Sequence, residues 1–278
     1  MNNEIGIDFI QYSLQVYAGM FTSCTTWGEH LALVKHVLQD TLQGHAEQFL
    51  CATWGEGDNR IAPYSHSASV IDITNTRIAN VYWSDKSLDT VLVQHTGQAC
   101  KRIENIMAYV DFVQPRLNRL DIALDVQTDD TPERYFKAYT GRLSKSWEES
   151  RTGQTFYLGS RKSDKLCRIY RYAPPHERAQ LLRFEMQYRG EYARAIAWHI
   201  AQEGITAVMH TALAAYDLPL DELLTDVKEG LTLGKKRHGD TIAWLERAVR
   251  PALERVIMSG EFDGYNWMKG IYDGINGF

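Results

Sequence analysis

The chain has 278 residues, 44% hydrophobic, 11% aromatic and 23% charged, a composition too apolar for a disordered tail and too interrupted for a membrane protein. Nothing approaches the roughly 18 consecutive apolar residues of a membrane helix, and the opening Met1-Asn2-Asn3-Glu4 has no signal-peptide character; a cytoplasmic protein without a membrane partner is expected. The net charge of -5 hides an asymmetry: from Arg134 to Arg194 there are 14 Lys/Arg against 6 Asp/Glu, and elsewhere 16 against 29, as expected if one face meets a polyanion.

In chain order, Gly6 to Leu14 alternates as a strand, and Trp27 to Gln43 carries Leu31, Val34, Leu38 and Leu42 at helical spacing. Short strands are predicted over Gln48 to Trp54, Ser69 to Thr74, Ile78 to Trp83 and Asp89 to Val93. Thr96 caps a predicted helix to Phe112, ended by Pro115. Arg119 to Val126 alternates as a strand, and Thr128 to Pro132 opens a helix predicted to reach Trp147. Strands follow over Gly153 to Leu158, Leu166 to Tyr172 and Leu181 to Tyr188, then a helix over Glu191 to Gln202 with Ala193, Ile196, Ala197 and Ile200 inward.

This order implies an α+β fold: two similar strand-helix-strands halves sharing an extended, largely antiparallel sheet, followed by a helical C-terminal region. The expected divisions are 1–118, an N-terminal half suited to DNA recognition; 119–203, a half carrying the chemistry; and 204–278, with helices over Leu218 to Glu229 and Asp240 to Met258 and a tail from Gly260 rich in aromatic residues and glycine.

Phosphate-loop, dinucleotide-turn, serine-elbow and His-Glu-x-x-His motifs are absent. No two of the nine histidines stand two positions apart, and Cys24, Cys51, Cys100 and Cys167 are dispersed, so a histidine metal site, a zinc ribbon and a disulfide framework are not indicated.

The informative segments are Arg119-Leu120-Asp121-Ile122-Ala123-Leu124-Asp125, the run from Thr155 to Tyr170, and Arg183-Phe184-Glu185-Met186-Gln187-Tyr188-Arg189. Strand alternation puts Arg119, Asp121, Ala123 and Asp125 on one face, Arg168, Tyr170 and Tyr172 on one face, and Arg183, Glu185 and Gln187 on one face, each opposite an apolar row. Antiparallel pairing of the last two strands in any register that joins their apolar faces also joins Tyr170 with Arg183 and Glu185. Tyr157 and Tyr188 are assigned to the apolar phase; Tyr172 shares the phase of Tyr170 and is a reserve nucleophile. A phenol among acids and arginines suits phosphoryl transfer through a covalent intermediate aided by a hard cation, Mg2+ or Mn2+. Asp121 and Glu185 rank as ligands. Asp125 is about 13 Å from Asp121 along an extended strand, and is the alternative ligand or a supporting partner. A purely structural reading, cross-strand ion pairs on a solvent-facing sheet, stays open at this point.

These three segments resemble the replication initiation factor family, the Rep-trans type rolling-circle initiators and relaxases of plasmids, integrative elements and filamentous phages. The resemblance rests on Arg-Leu-Asp-Ile-Ala-Leu-Asp, on Tyr-Leu-Gly-Ser-Arg-Lys-Ser-Asp-Lys leading into Arg-Ile-Tyr, and on Arg-Phe-Glu-Met-Gln-Tyr-Arg. It implies a metal-dependent nicking-closing endonuclease that cuts one DNA strand at an origin, links a tyrosine to the 5′ phosphate and leaves a 3′ hydroxyl primer. By position, Tyr170 resembles the nucleophile, Arg168 and Arg183 assist it, and Arg161, Lys162, Lys165 and Arg189 would bind DNA. Asp121, Asp125 and Glu185 match the acidic positions. One departure is Arg171-Tyr172-Ala173-Pro174 after the tyrosine, where the family's lysine is missing and Glu177 is the remaining downstream acid. Implied partners are single-stranded or hairpin origin DNA, a host helicase and a second copy of the chain. The competing reading is a non-catalytic DNA-binding regulator or assembly factor on the same fold.

Overall fold

The computed structural model describes residues 4–17, 19–42, 49, 51–57, 61–85, 89–102, 106, 115–151, 153–172, 181–216 and 218. All lie in the first of the chain's two units, Met1–Thr232. The helices predicted beyond Leu218 and the aromatic tail fall outside the described residues, as does Glu177.

In chain order the elements are β1 (Glu4–Gln15), α1 (Trp27–Leu42), β2 (Thr53–Glu56), β3 (His66–Ile71), β4 (Arg77–Trp83), β5 (Thr90–Thr96), a 3-10 turn (Gly97–Arg102), β6 (Arg116–Val126), α2 (Pro132–Ala138), β7 (Lys145–Ser150), β8 (Gly153–Leu158), β9 (Lys165–Tyr172), β10 (Leu181–Arg189), α3 (Gly190–Glu203) and α4 (Ile205–Ala214). The strands form one sheet in the order β2-β3-β4-β5-β1-β6-β10-β9-β8-β7. Neighbours pair antiparallel throughout. The fold is therefore α+β, built on a single large antiparallel sheet, with β1 and β6 adjacent at its centre.

One face of the sheet is the core. On β6 the row Leu120, Ile122 and Leu124 is buried, and on β10 Leu182, Phe184 and Met186 join it, with Cys167 and Ile169 from β9. Each large apolar side chain taken fully from water contributes about 1.5–3 kcal/mol, so this alternation fixes which face turns inward. Ala193, Ile196 and Ala197 of α3 and Val208, Met209 and Ala212 of α4 are buried as well, and α3 packs on β6 and β10. From α2, Tyr135 sets its ring edge-on to Phe184, centroids 5.0 Å apart.

The structure corrects four local expectations. The helix predicted to reach Trp147 ends at Ala138, and Lys145–Ser150 is a strand. The cause lies in Tyr139-Thr140-Gly141: the Tyr139 ring folds back so closely that a Cβ on Gly141 would lie 2.2 Å from its hydroxyl. That hydroxyl accepts from the Leu143 amide at 3.1 Å. The chain thus turns at the one residue without a side chain to obstruct it. The strand predicted from Gln48 begins only at Thr53, with Phe49 buried and its carbonyl accepting from the Trp54 indole at 2.9 Å. After Thr96 comes a 3-10 turn over Gly97–Arg102; the rest of the helix predicted to Phe112 lies, Ile106 apart, outside the described residues. The helix Ile205–Ala214, which the sequence reading passed over, follows Gly204, whose φ of 85° breaks it from α3.

Candidate active site

Opposite the core, the polar face of β6, β10 and β9 brings the informative residues together. The register sets Arg183 against Asp125, Glu185 against Ala123 and Gln187 against Asp121. On its other side β10 sets Arg183 against Tyr170 and Glu185 against Arg168. The face expected from apolar matching is the one observed, and the pairing fixes the register along it.

Two ion-pair groups result. In the first, the Tyr170 hydroxyl donates to Glu185 Oε2 at 2.7 Å, and the Arg168 guanidinium bridges Glu185 Oε1 and Asp121 Oδ2, the latter at 3.3 Å. Arg119 forks onto Asp121, with its Nε 2.9 Å from Oδ1, and Gln187 Nε2 donates to Asp121 Oδ2 at 3.4 Å. In the second, Arg183 donates to both oxygens of Asp125 at 2.6 Å and to Asp8 Oδ1 at 2.9 Å. Its guanidinium lies 3.6 Å from the Tyr172 ring centroid. Asp121 and Glu185 are buried, and Arg183 is 7% exposed. Charges taken this far from water need such multiple, well-directed partners.

Burial raises the pKa of the Tyr170 phenol, and Arg183 and Arg168, in that order, pull it back down. The phenol is therefore protonated at neutral pH, and Glu185 is the carboxylate within hydrogen-bond reach of its proton. The Tyr172 hydroxyl belongs to a ring clamped by Arg183, which makes Tyr170 the better placed of the two.

The DNA-binding candidates gather at one end of β9 and β10. Gly159 turns the chain out of β8 with φ +107°, and a Cβ there would stand 3.2 Å from the Lys165 carbonyl. The loop that follows is tied down by the Arg189 amide to the Asp164 carbonyl at 2.8 Å and by Arg189 Nη1 to the Arg161 carbonyl at 2.9 Å. Arg161, Lys162 and Lys165 are exposed. Arg161 pairs with Glu148 and lies over the Tyr157 ring, while Lys165 stands 4.0 Å from the Tyr192 ring centroid.

Tyr188 is buried on the core face, as its phase requires. Tyr157 is a correction: it pairs with Arg168, on the polar face, while Phe156 pairs with Ile169 on the core face. Its hydroxyl donates to Glu148 Oε2 at 3.1 Å.

Asp8, Arg119 and Gln187 escaped the sequence reading as parts of the site. Asp8 sits at a register shift between Ile7 and Phe9; such a bulge re-aims a side chain in a way alternation does not reveal. Gln187 and Arg119 had the right phase, and that phase was their only signal. The Cys100 thiol is raised by burial first and then by Asp8 and Asp121, a proximity that no spacing in the sequence encodes.

The hard oxygens of Asp121 and Glu185 suit a divalent cation chemically, but the place between them is taken by Arg168. Both Asp125 oxygens are held by Arg183. Among the described residues no three His, Cys, Asp or Glu side chains form a metal-holding group. The acids therefore fit Mg2+ or Mn2+ only as a pair, and only where Arg168 gives way.

Among solved structures, the chain is similar to one described as a rolling circle replication initiator protein from Geobacillus stearothermophilus, with a TM-score of 0.52 at 18% identity, over 77% of this chain and 86% of that one. The two share a fold. No family model matches the sequence, and no curated protein does. No helix among the described residues is long and apolar enough to cross a membrane.

Proposed function

We propose that this chain initiates rolling-circle replication or transfer by nicking one strand of single-stranded or hairpin origin DNA. The observation that carries the reading is the Tyr170 hydroxyl held 2.7 Å from Glu185 on a face also bearing Arg168 and Arg183. Support comes from the shared fold with a protein described as a rolling circle replication initiator and from the order of the three motifs. Tyr170 Oη attacks a phosphodiester phosphorus while its proton passes to Glu185. The new bond joins Oη to phosphorus, the bond to the 3′ oxygen breaks, and that oxygen takes up a proton from water as it leaves as the primer hydroxyl. Arg168 and Arg183 counter the charge that builds on the phosphoryl oxygens. Where Arg168 gives way, Asp121 and Glu185 would hold Mg2+ or Mn2+, which would supply further charge withdrawal when bound. Asp125 serves in this reading by fixing Arg183. Arg161, Lys162, Lys165 and Arg189 take the backbone phosphates.

The divisions follow the chemistry: residues 119–203 act on the strand, 1–118 recognise the origin on a half of similar build, and a host helicase opens the duplex from the primer end. The test is incubation of the full chain and its origin strand with Mg2+ or Mn2+, followed by denaturing electrophoresis. A covalent protein–oligonucleotide adduct is expected, absent in Tyr170→Phe and reduced roughly 10²–10⁴-fold in Glu185→Gln. Full activity in Tyr170→Phe would move the nucleophile to Tyr172 or elsewhere. Salt-dependent origin binding without an adduct under either metal would favour the non-catalytic regulator.

A further inference from the structure

On the polar face of the sheet, over β3 and β4, Gly57, Ser67, Ser69, Arg77, Asn80 and Tyr82 line a hollow of about 210 Å³. The strand register builds it: Ser67 stands opposite Tyr82 and Ser69 opposite Asn80, and a register shift between Val70 and Ile71 sets Arg77 opposite Ile71, which turns Arg77 to the same face. A Cβ at Gly57 would lie 2.5 Å from the Ser67 hydroxyl, so only glycine leaves that rim undisturbed. The volume is below the roughly 300–1,000 Å³ of sites for drug-sized molecules. It has room for one planar ring system.

The polar groups of the hollow are not spent on one another. Tyr82 is 2% exposed, yet its hydroxyl has no hydrogen-bond partner among the described residues, a costly state for a phenol taken from water. The Asn80 carbonyl accepts from Ser69 Oγ at 3.3 Å, which leaves it a second lone pair and leaves both amide protons free. Arg77 is exposed and makes no ion pair among the described residues. Its charge nevertheless reaches the Tyr82 phenol. An amide offering acceptor and donor side by side matches the N6 amino group and N7 of adenine, the bidentate pairing by which asparagine reads that base, and a free guanidinium is the partner of a phosphate. The occupant these groups describe is an adenine nucleotide.

A free nucleotide and a nucleotide within a strand share this chemistry, and the place of the hollow favours the strand. Outward from the centre of the sheet, β4 is the third strand on the β1 side and β9 the third on the β6 side. Tyr82 faces Leu92 while Asn80 faces Gln94, as Tyr170 faces Arg183 while Arg168 faces Glu185. Leu92, Gln94 and Asn80 thus hold the places of Arg183, Glu185 and Arg168. A phenol in that company can bind a strand without the groups to cut it. Resting on the proposed function, we propose that the hollow reads one unpaired adenine of the origin strand, its base edge on Asn80 and the Tyr82 hydroxyl, its phosphate on Arg77. Five strand spacings, about 24 Å, separate β4 from β9 across the sheet. At about 3.4 Å per nucleotide, that sets the adenine about seven nucleotides from the bond that Tyr170 attacks.

Fluorescence anisotropy of the full chain with labelled oligo-dA and oligo-dC strands of about 15 nucleotides, without divalent metal so that no strand is cut, tests the site. The expected result is roughly tenfold tighter binding of oligo-dA. Asn80→Ala should bring oligo-dA to the level of oligo-dC, and Arg77→Gln should weaken both strands alike and lower the salt slope by about one. In the unaltered chain, oligo-dA carrying 8-azidoadenine should photocrosslink within the peptide that contains Tyr82, identified by mass. This crosslink decides the matter alone if Asn80→Ala unfolds. Equal affinity for the two strands, a folded Asn80→Ala that keeps the preference, an unchanged salt slope in Arg77→Gln, or crosslinks confined to other segments would overturn the proposal. So would binding of free dAMP that Asn80→Ala abolishes, without any preference between strands, which would give the hollow to a free nucleotide. No metal and no cutting enter these readouts, so their failure leaves the role of Tyr170 untouched, and a missing Tyr170 adduct leaves the adenine preference measurable.

Discussion

Along one cross-strand row the sheet passes from Ser69, Asn80, Gln94 and Gln11 on the β1 side to Arg119 and Arg189 on the β6 side. The first four are neutral and satisfy one another, with Ser69 Oγ donating to Asn80 Oδ1 at 3.3 Å and Gln94 Nε2 to Gln11 Oε1 at 3.0 Å. Beyond β6 the same face carries Asp121, Glu185, Asp125, Arg168 and Arg183. A neutral hydrogen bond adds about 1 kcal/mol net, whereas each buried ion costs several kcal/mol that only close, multiple pairing recovers. The β1 side demonstrates that this chain can build a satisfied polar sheet face from amides and hydroxyls. The sheet therefore does not need the charges on the β6 side to satisfy its polar face, and the proposed chemistry on a phosphate would give them a use.

The sharpest way to break this contrast is to remove Arg183. Its loss strands both oxygens of Asp125 and one partner of Asp8, and leaving buried carboxylates uncompensated costs about 3–5 kcal/mol. Arg183→Ala should lower the urea midpoint accordingly at neutral pH. A loss under about 1 kcal/mol would place the pair in the class of solvated surface bridges and dissolve the distinction between the two sides of the sheet.

How much of this was legible before folding follows from the same physics. Alternation assigned Leu120, Ile122 and Leu124 to one face and Asp121 and Asp125 to the other, and apolar matching then forced Tyr170 toward Glu185. Those are consequences of a period of two, which a sequence carries openly. Asp8 was hidden because a bulge breaks that period, and Tyr157 because its strand is short and its phase was read from its aromatic ring rather than from Phe156 and Leu158. β7 was lost because Lys-Ser-Trp-Glu-Glu continues a helical composition, and only the Tyr139–Gly141 contact ends the helix. Arg168 standing between Asp121 and Glu185 was out of reach: the sequence lists cations and acids on one face without saying which pairs close.

Alkaline titration sharpens the comparison. Burial raises the phenols of Tyr82 on the β1 side and of Tyr188 and Tyr170 on the β6 side above the ordinary value of 10.0. Each native phenol holds its proton more tightly than the unfolded chain does. The stability this contributes is complete below pH 10 and is lost as pH rises through the native values, at about 1.4 kcal/mol for every tenfold difference in proton affinity. Unfolding free energy should therefore fall above pH 10. Arg77 opposes the burial of Tyr82, and Arg183 and Arg168 that of Tyr170, so Arg183→Lys, which keeps a charge but loses the fork, should shift less of the Tyr170 tyrosinate absorbance than Arg183→Ala. Equal titration curves for the two variants would remove Arg183 as the group that moderates the Tyr170 phenol.

The smallest effect belongs to the neutral side. Gln94→Ala removes the donor to Gln11 Oε1, but both glutamines are only half-buried, so water replaces the lost partner. The cost is about 0.5–1 kcal/mol, read as a small shift in the urea midpoint with an unchanged slope. Adduct formation on origin DNA should stay at the wild-type rate, because no charge near Tyr170 has moved. A Gln94→Ala variant that folded normally yet lost adduct formation would mean that the amide row reaches the chemistry, and that the boundary between the two sides of the face lies on β5 rather than on β6.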